Sequence, residues 1–279
     1  MLYLVATPLG NLEDITLRAL RILKEADLVA CEDTRHTAKL LARYGITTPK
    51  ESYHKFNEES RTRRFLELLR EGKTIALVSD SGTPLISDPG YTLVAACRRE
   101  GIPVTPIPGP SAAIAALVGS GLPTDTFLFA GFLPPRSSAR RNRLEEVAPV
   151  PATLIFYEAP HRLLASLGDM VEVLGDRKAC MVRELTKIHE EFLAGTLSEL
   201  HSIIAGRPRI QGEITLVVDR GEAAAAPVSF PDEIERHLAD EMERSGLPRN
   251  EALKSVARQR GITRKEAYNL LIGTRKTVT

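Results

Sequence analysis

The chain has 279 residues, 43% of them apolar and 26% charged, with a net charge of +1. That is room for about two domains and a small appendage, and it excludes a disordered chain or a coiled coil. No run approaches about 18 apolar residues, and MLYLVATPLGN lacks the basic start and small-residue cleavage pattern of a signal peptide, so a cytoplasmic protein with no membrane partner is expected.

From the N-terminus, LYLVA (2–6) reads as a buried strand. A turn at Pro8–Asn11 leads to a helix with Ile15, Ala19, Ile22, Leu23 and Ala26 on one face, capped by Asn11 or Asp14. LVAC (28–31) is a second strand, and TAKLLARYG a helix closed by Gly45. The spacing predicts an amphipathic helix over 58–70 ended by Gly72, then a β-branched strand at TIALVS (74–79). After the loop SDSGTPLISDPG, 91–100 returns to helix, and IPVTPIPG and SAAIAALVG continue the alternation. This half reads as α/β with a mainly parallel sheet.

A Gly-Ser-Gly-Leu-Pro linker at 119–123 sets a boundary near residue 118. FLFAG, ATLIFY, ACMVREL, EEFLAG and EITLVV follow as strands, with helices at 160–174 and 197–205, Pro160 suiting a first turn. With few helical residues between several of them, this second sheet should be mixed. After Val218 comes the linker GEAAAAPVSFP, then helices at 232–245, 249–259 and 263–273. The expected organisation is an N-terminal α/β domain at 1–118, a second α/β domain at 119–222 completing a cleft, and a helical appendage at 229–279.

Three cysteines are scattered in apolar stretches and six histidines do not cluster, so neither a disulfide framework nor a metal is expected. The near-neutral total hides two basic regions. PPRSSARRNR carries Arg136, Arg140, Arg141 and Arg143 without an acid, and residues 244–279 hold nine Lys or Arg against Glu251 and Glu266. Either cluster alone suits a solvated face; together they point to a polyanionic partner such as nucleic acid.

Three loops rich in Gly and Pro follow three expected strands: Thr7-Pro8-Leu9-Gly10-Asn11, Ser81-Gly82-Thr83-Pro84 and Pro108-Gly109-Pro110-Ser111-Ala112. In an open α/β sheet, ligands bind beyond the carboxyl ends of the strands, where such loops converge. There is no GxxxxGK[ST], and no GxGxxG opens a helix after the first strand, so a ligand without phosphates fits best.

ATPLGNLEDITLRAL, CEDTRHT, LVSDSGTPLISDPG, IPGPSA, FYEAPHR, RELTKIHEE and GEITLVV, in this order, resemble the signature segments of the ribosomal RNA small subunit methyltransferase I family, a branch of the tetrapyrrole methylases. The resemblance spans residues 2–220 and implies a homodimeric, two-domain tetrapyrrole-methylase fold. It implies S-adenosyl-L-methionine (AdoMet) folded in the cleft, and 2′-O-methylation of a cytidine in the decoding region of small-subunit rRNA, naked or in the 30S subunit. Position by position it carries cofactor contacts onto Leu9, onto Ser81, Gly82, Thr83 and Ile86, onto Ser111 and Ala112, onto Tyr157 and Glu158, and onto Glu213 and Ile214. Thr83 stands where corrin and porphyrin methylases often have the aspartate of Gly-Asp-Pro.

Transfer to a ribose hydroxyl calls for a proton acceptor or a strong hydrogen-bond acceptor. Glu32 or Asp33 suits that role, with Arg35 holding a phosphate; the same segment also suits a plain helix start, Asp33 or Thr34 capping it and Glu32 pairing with Arg35. Arg183, Glu184 and Lys187 form a second polar group, where Lys187 is either a base of lowered pKa or half of an ion pair. Asp80 and Asp88 flank the Gly82 loop, where turn aspartates commonly bind loop NH groups. Leu253, Val256, Ala257, Gly261, Ile262, Ala267 and Leu270 have helix-turn-helix spacing, decorated by Arg249, Lys254, Arg258, Arg260, Arg264, Lys265, Arg275 and Lys276, and phosphate contact is the expected role of that surface. A helical cap that stabilises a dimer is the alternative for this tail. A corrinoid or porphyrin C-methylase and a non-enzymatic nucleic-acid-binding protein are the competing functions.

Overall fold

A computed structural model describes residues 1–221, 234–260 and 262–274, without the side chains of residues 258, 259 and 272–274. The first sheet holds β1 (Leu2–Val5), β2 (Leu28–Cys31), β3 (Lys50–Ser52), β4 (Ile75–Val78) and β5 (Val104–Ile107). They are all parallel, in the order β3-β2-β4-β1-β5. Every residue of LVAC and IALV is buried because helices cover both faces of a parallel sheet. Val5, Val29, Ala76 and Ile107 pack with α1 (Leu17–Glu25) and α2 (Thr34–Arg43); Leu28, Ala30, Ile75 and Leu77 pack with α3 (Glu58–Arg70) and α4 (Tyr91–Arg99).

Local chemistry sets the helix ends. Neither Asn11 nor Asp14 caps α1, as the sequence suggested: Asn11 caps a short 3-10 turn at Leu12–Asp14, and the extended Thr16 accepts from the Ala19 NH at 3.1 Å. Gly45 and Gly72 end α2 and α3 with positive φ, where a side chain would be strained. The short polar strand β3 was not anticipated.

After α5 (Ala112–Gly119), the second sheet holds β6 (Phe127–Phe132), β7 (Thr153–Glu158), β8 (Lys178–Arg183), β9 (Glu191–Thr196) and β10 (Ile214–Val218). The order is β6-β7-β10-β8-β9, with β6 and β7 parallel and the remaining pairs antiparallel. Helices α6 (Ser137–Val147), α7 (Leu163–Leu174) and α8 (Leu197–Ala205) accompany it. The sequence did not signal α6, and Pro160 lies ahead of α7, whose N-cap is Arg162, rather than in its first turn. Ala113, Ala116 and Leu117 of α5 pack on Ile155, Cys180, Val182 and Val217, so this helix already packs with the second sheet, ahead of the 119–123 linker.

Residues up to 221 form one compact unit and the described residues beyond it another. In the latter, α9 (Ile234–Ser245), α10 (Arg249–Gln259) and α11 (Arg264–Thr274) close around Leu238, Leu253, Val256, Ala257, Ala267 and Leu271. Leu270, expected in this core, is 52% exposed, and Leu271 takes the inward position. Thr263 and Glu266 cap α11 reciprocally, each backbone NH donating to the other's side chain. Gly261, Arg275 and Lys276 lie outside the described residues.

Candidate functional site

Beyond the ends of β1, β4 and β5, the three loops are tied together by one backbone bridge and one side-chain hydrogen bond. The Thr7 NH donates to the Gly82 carbonyl and the Gly82 NH to the Thr7 carbonyl, each at 2.9 Å, a one-rung antiparallel bridge. The Thr83 hydroxyl donates to the Pro110 carbonyl at 2.9 Å, joining the second loop to the third. Gly82 has φ +78°, and a Cβ at Gly109 would lie 2.9 Å from that of Ala6, so both glycines are required by the close approach. Thr83, in the place of an aspartate, is a clamp between loops.

The facing wall comes from β6, β7, β10 and the β8 end. Together they enclose a cavity of about 370 Å³. All of the residues singled out above as cofactor contacts line it: Leu9, Ser81, Gly82, Thr83, Ile86, Ser111, Ala112, Tyr157, Glu158, Glu213 and Ile214. So do Asp88, which the sequence offered as a turn aspartate, and residues it did not point to, among them Phe132, Val182, Leu185 and Thr215. The rule that ligands sit beyond the carboxyl ends of strands reaches Phe132, which ends β6, and Val182, next to the end of β8; Thr215 is at the amino end of β10 and is brought there by antiparallel pairing with Tyr157 of β7.

The polar groups of the cavity differ in what holds them. Glu158 is buried and engaged, accepting from the Ala159 NH at 2.7 Å, from Arg162 at 2.8 Å and from the Ser166 hydroxyl. Tyr157 lies edge-on to Phe129 and Phe132, at centroid distances of 4.9 and 5.5 Å, and burial pushes its phenol up. Glu213 is largely exposed and 3.5 Å from Lys187, which also bonds Glu184 at 2.9 Å. Burial alone would lower the Lys187 ammonium, but the Glu184 hydrogen bond and the two carboxylate charges outweigh it and raise it. Lys187 is therefore an ion-pair partner and not a base of lowered pKa. Its stem covers Gly10, where a Cβ would overlap it, while Glu184, at φ +52°, accepts from the Glu213 NH at 3.0 Å. Arg183 is held by Glu191, which Arg207 also grips; the Arg207 hydrogen bond leads in holding that carboxyl down to about 2.

At the β2–α2 corner, none of Glu32, Asp33 and Arg35 lines the cavity. Asp33 caps α2, accepting from the Arg35 NH at 2.8 Å, and its carboxylate binds the Arg35 guanidinium through 3.2 and 2.9 Å contacts. The Arg35 side chain leads in holding Asp33 down to about 2, so Asp33 is a weak base and Arg35 is already paired with a carboxylate. Arg35 pairs with Asp33, where the sequence suggested Glu32 as its partner. Glu32 is raised by burial and by Asp80, with His54 opposing. Asp80 accepts from the Asp33 NH at 3.0 Å. Asp88 is pushed up to about 6 by burial and the charges of Glu32 and Asp80, a Ser79 hydrogen bond opposing.

The arginine knot does not survive folding as one basic patch. Arg140 is buried and bonds Asp169 of α7 at 2.6 Å, and Arg141 binds Asp169 at 2.7 Å and Glu172 at 2.6 Å. Arg143 pairs with Glu146 at 2.8 Å, and Arg136 is exposed at the start of α6. The stretch PPRSSARRNR holds no acid of its own: Glu146 follows it on α6, and Asp169 and Glu172, which neutralise Arg140 and Arg141, lie on α7. Lys254, Arg264 and Lys265 are exposed, whereas the Arg258 side chain lies outside the described residues. Among the described residues no group of three or more His, Cys, Asp or Glu could hold a metal ion, and no helix is long and apolar enough to cross a membrane.

Residues 1–201 match the family model of the tetrapyrrole (corrin/porphyrin) methylases. A relative from Halalkalibacterium halodurans named ribosomal RNA small subunit methyltransferase I is 50% identical over 277 residues, 96% of this chain and 93% of the relative. One from Mesorhizobium japonicum with the same name is 49% identical, over 99% of this chain and 92% of the relative. A crystal structure of uroporphyrin-III C-methyltransferase from Thermus thermophilus complexed with S-adenyl homocysteine shares the fold, at TM-score 0.55 and 23% identity over 78% of this chain and 96% of that one.

Proposed function

Because the chain belongs to the tetrapyrrole (corrin/porphyrin) methylase family, in its ribosomal RNA small subunit methyltransferase I branch, we propose that it is an AdoMet-dependent enzyme that methylates the ribose 2′-hydroxyl of a cytidine in the decoding region of 16S rRNA. The observation that carries this reading is the joining of three loops over one cavity by the Thr7–Gly82 bridge and the Thr83–Pro110 hydrogen bond. The cavity suits the donor chemically: among the described residues its lining includes carboxylates and no Lys or Arg, which favours a sulfonium and an ammonium over a phosphate ligand. AdoMet, when bound, supplies a methyl group on a sulfonium; the protein has to align it.

In this reading Leu9, Ser81, Gly82, Thr83 and Ile86 hold one side of the donor and Ser111 and Ala112 the floor. Tyr157, Glu158, Glu213 and Ile214 hold the adenosine end. Fixing hydroxyl, methyl and sulfur in line contributes about 7–11 kcal/mol of barrier reduction. Arg136 and the exposed Lys254, Arg264 and Lys265 contact phosphates, which positions RNA without reading its sequence. The active form is a homodimer acting on rRNA or on the assembled 30S subunit. Titration calorimetry with AdoMet, followed by labelled methyl transfer to 30S subunits, naked 16S rRNA and a precorrin, tests the reading. Transfer to rRNA and loss of one ribose methyl from 16S rRNA in cells without the protein are the expected results. Transfer to the precorrin alone, or no AdoMet binding, overturns it.

A further inference from the structure

Asp88 occupies a position that the proposed reaction does not yet use. It lies in the loop between β4 and α4, whose backbone turns sharply inward: Leu85 and Ser87 have φ of +71° and +67°, and Gly90 +140°. The loop end is pinned from α3, where Glu58 accepts from the Gly90 NH at 3.2 Å. Ser87 and Asp88 both line the cavity beside Ile86.

Four side chains on the cavity wall can titrate, and three are committed. Both Glu158 oxygens accept hydrogen bonds. Glu213 is 71% exposed and faces Lys187. Tyr157 is kept protonated by burial among aromatic rings. Asp88 is the one carboxylate of the four whose charged neighbours are acids: Glu32 after β2 and Asp80 after β4 act on it and Tyr157 of β7 stands across the cavity, while the nearby Ser79 hydroxyl donates to the Ser81 and Gly82 carbonyls. No cation contributes to its environment among the described residues.

We propose that Asp88 is the catalytic proton acceptor of the transfer. This rests on the reading of the cavity as the AdoMet site. As the ribose oxygen bonds to the methyl carbon, the carbon–sulfur bond breaks and its electron pair passes to sulfur, neutralising the sulfonium. The hydroxyl proton passes to an Asp88 carboxylate oxygen and from there to water. A carboxylate raised to about 6 is still ionised at neutral pH and is a stronger base than an ordinary aspartate.

The test compares the full chain with Asp88→Asn and Asp88→Glu. AdoMet affinity is read by calorimetry, single-turnover transfer to rRNA by labelled methyl, and the aspartate carboxyl titration by carbon NMR without cofactor. The expected result for Asp88→Asn is AdoMet binding within about threefold and transfer slowed by roughly 100-fold or more. Asp88→Glu should recover part of that loss. The unsubstituted chain should lose transfer as pH falls through about 6, matching a carboxyl titration that disappears in Asp88→Asn. Transfer by Asp88→Asn within about threefold of the unsubstituted chain would overturn the assignment, as would an unchanged pH profile or a loss matched by the loss of AdoMet affinity. An unsubstituted chain that binds no AdoMet, or methylates no rRNA, overturns the function and this assignment together.

Discussion

The corner after β2 and the loop after β4 lie side by side on the first sheet, each carrying an aspartate, and the two aspartates titrate in opposite directions. Asp33 is surface-facing and gripped by the next residue but one, Arg35, which holds it down to about 2. Asp88 is drawn into a cavity among other carboxylates and is pushed up to about 6. Both have the residue type a ribose methyltransferase needs, and both follow a strand. The difference lies in the partner the fold supplies: a cation in one case, desolvation and like charge in the other.

The largest effect that could break this contrast is in turnover. Asp88→Asn should lose roughly 100-fold or more in methyl transfer, and Asp33→Asn less than about threefold, measured as single-turnover rates on the same rRNA. Reversed sensitivities would mean that the exposed corner rearranges around substrate. The same rule, applied to the arginine knot, predicts that Arg140→Ala costs about 1–3 kcal/mol in urea unfolding, since it leaves the buried Asp169 carboxylate with only Arg141 and the Ser137 hydroxyl, while Arg136→Ala stays within about 0.5 kcal/mol.

Thr83→Ala removes one hydrogen bond between loops and should weaken AdoMet binding by about 2–10-fold in calorimetry, with the fold intact. The smallest effect is on thermal stability. Asp88 has a folded pKa above its unfolded one, so its charge destabilises the fold as pH rises from about 4 through about 6; Asp88→Asn should melt about 2–4 °C higher at pH 8 and lose that advantage below pH 4. Asp33 has the opposite sign: its folded pKa is depressed, so its contribution is present above about pH 4 and disappears as pH falls toward 2.

The sequence made the backbone of this protein legible and left its charges misleading. LVAC, IALV and ITLVV read as strands because burial on both faces leaves continuous apolar runs. The loops of the cleft read correctly because their geometry is written in adjacent Gly and Pro residues. By contrast, β3 is three polar residues paired to β2 through backbone, and α6 carries a buried arginine at a position that looks solvent-facing until Asp169, 29 residues on, is brought against it. Asp33 looked catalytic for the same reason: the local pairing that neutralises it depends on a helix cap, and the burial that activates Asp88 depends on a wall contributed by the second sheet.

The bridge between Thr7 and Gly82 has one more implication. Since the first two loops of the cradle are stitched by peptide groups, and only Thr83 ties in the third through a side chain, the grip on a methyl donor can persist while the rim above it changes. A scaffold of this kind can be re-addressed to new acceptors by altering a handful of rim residues, with the donor seat inherited unchanged.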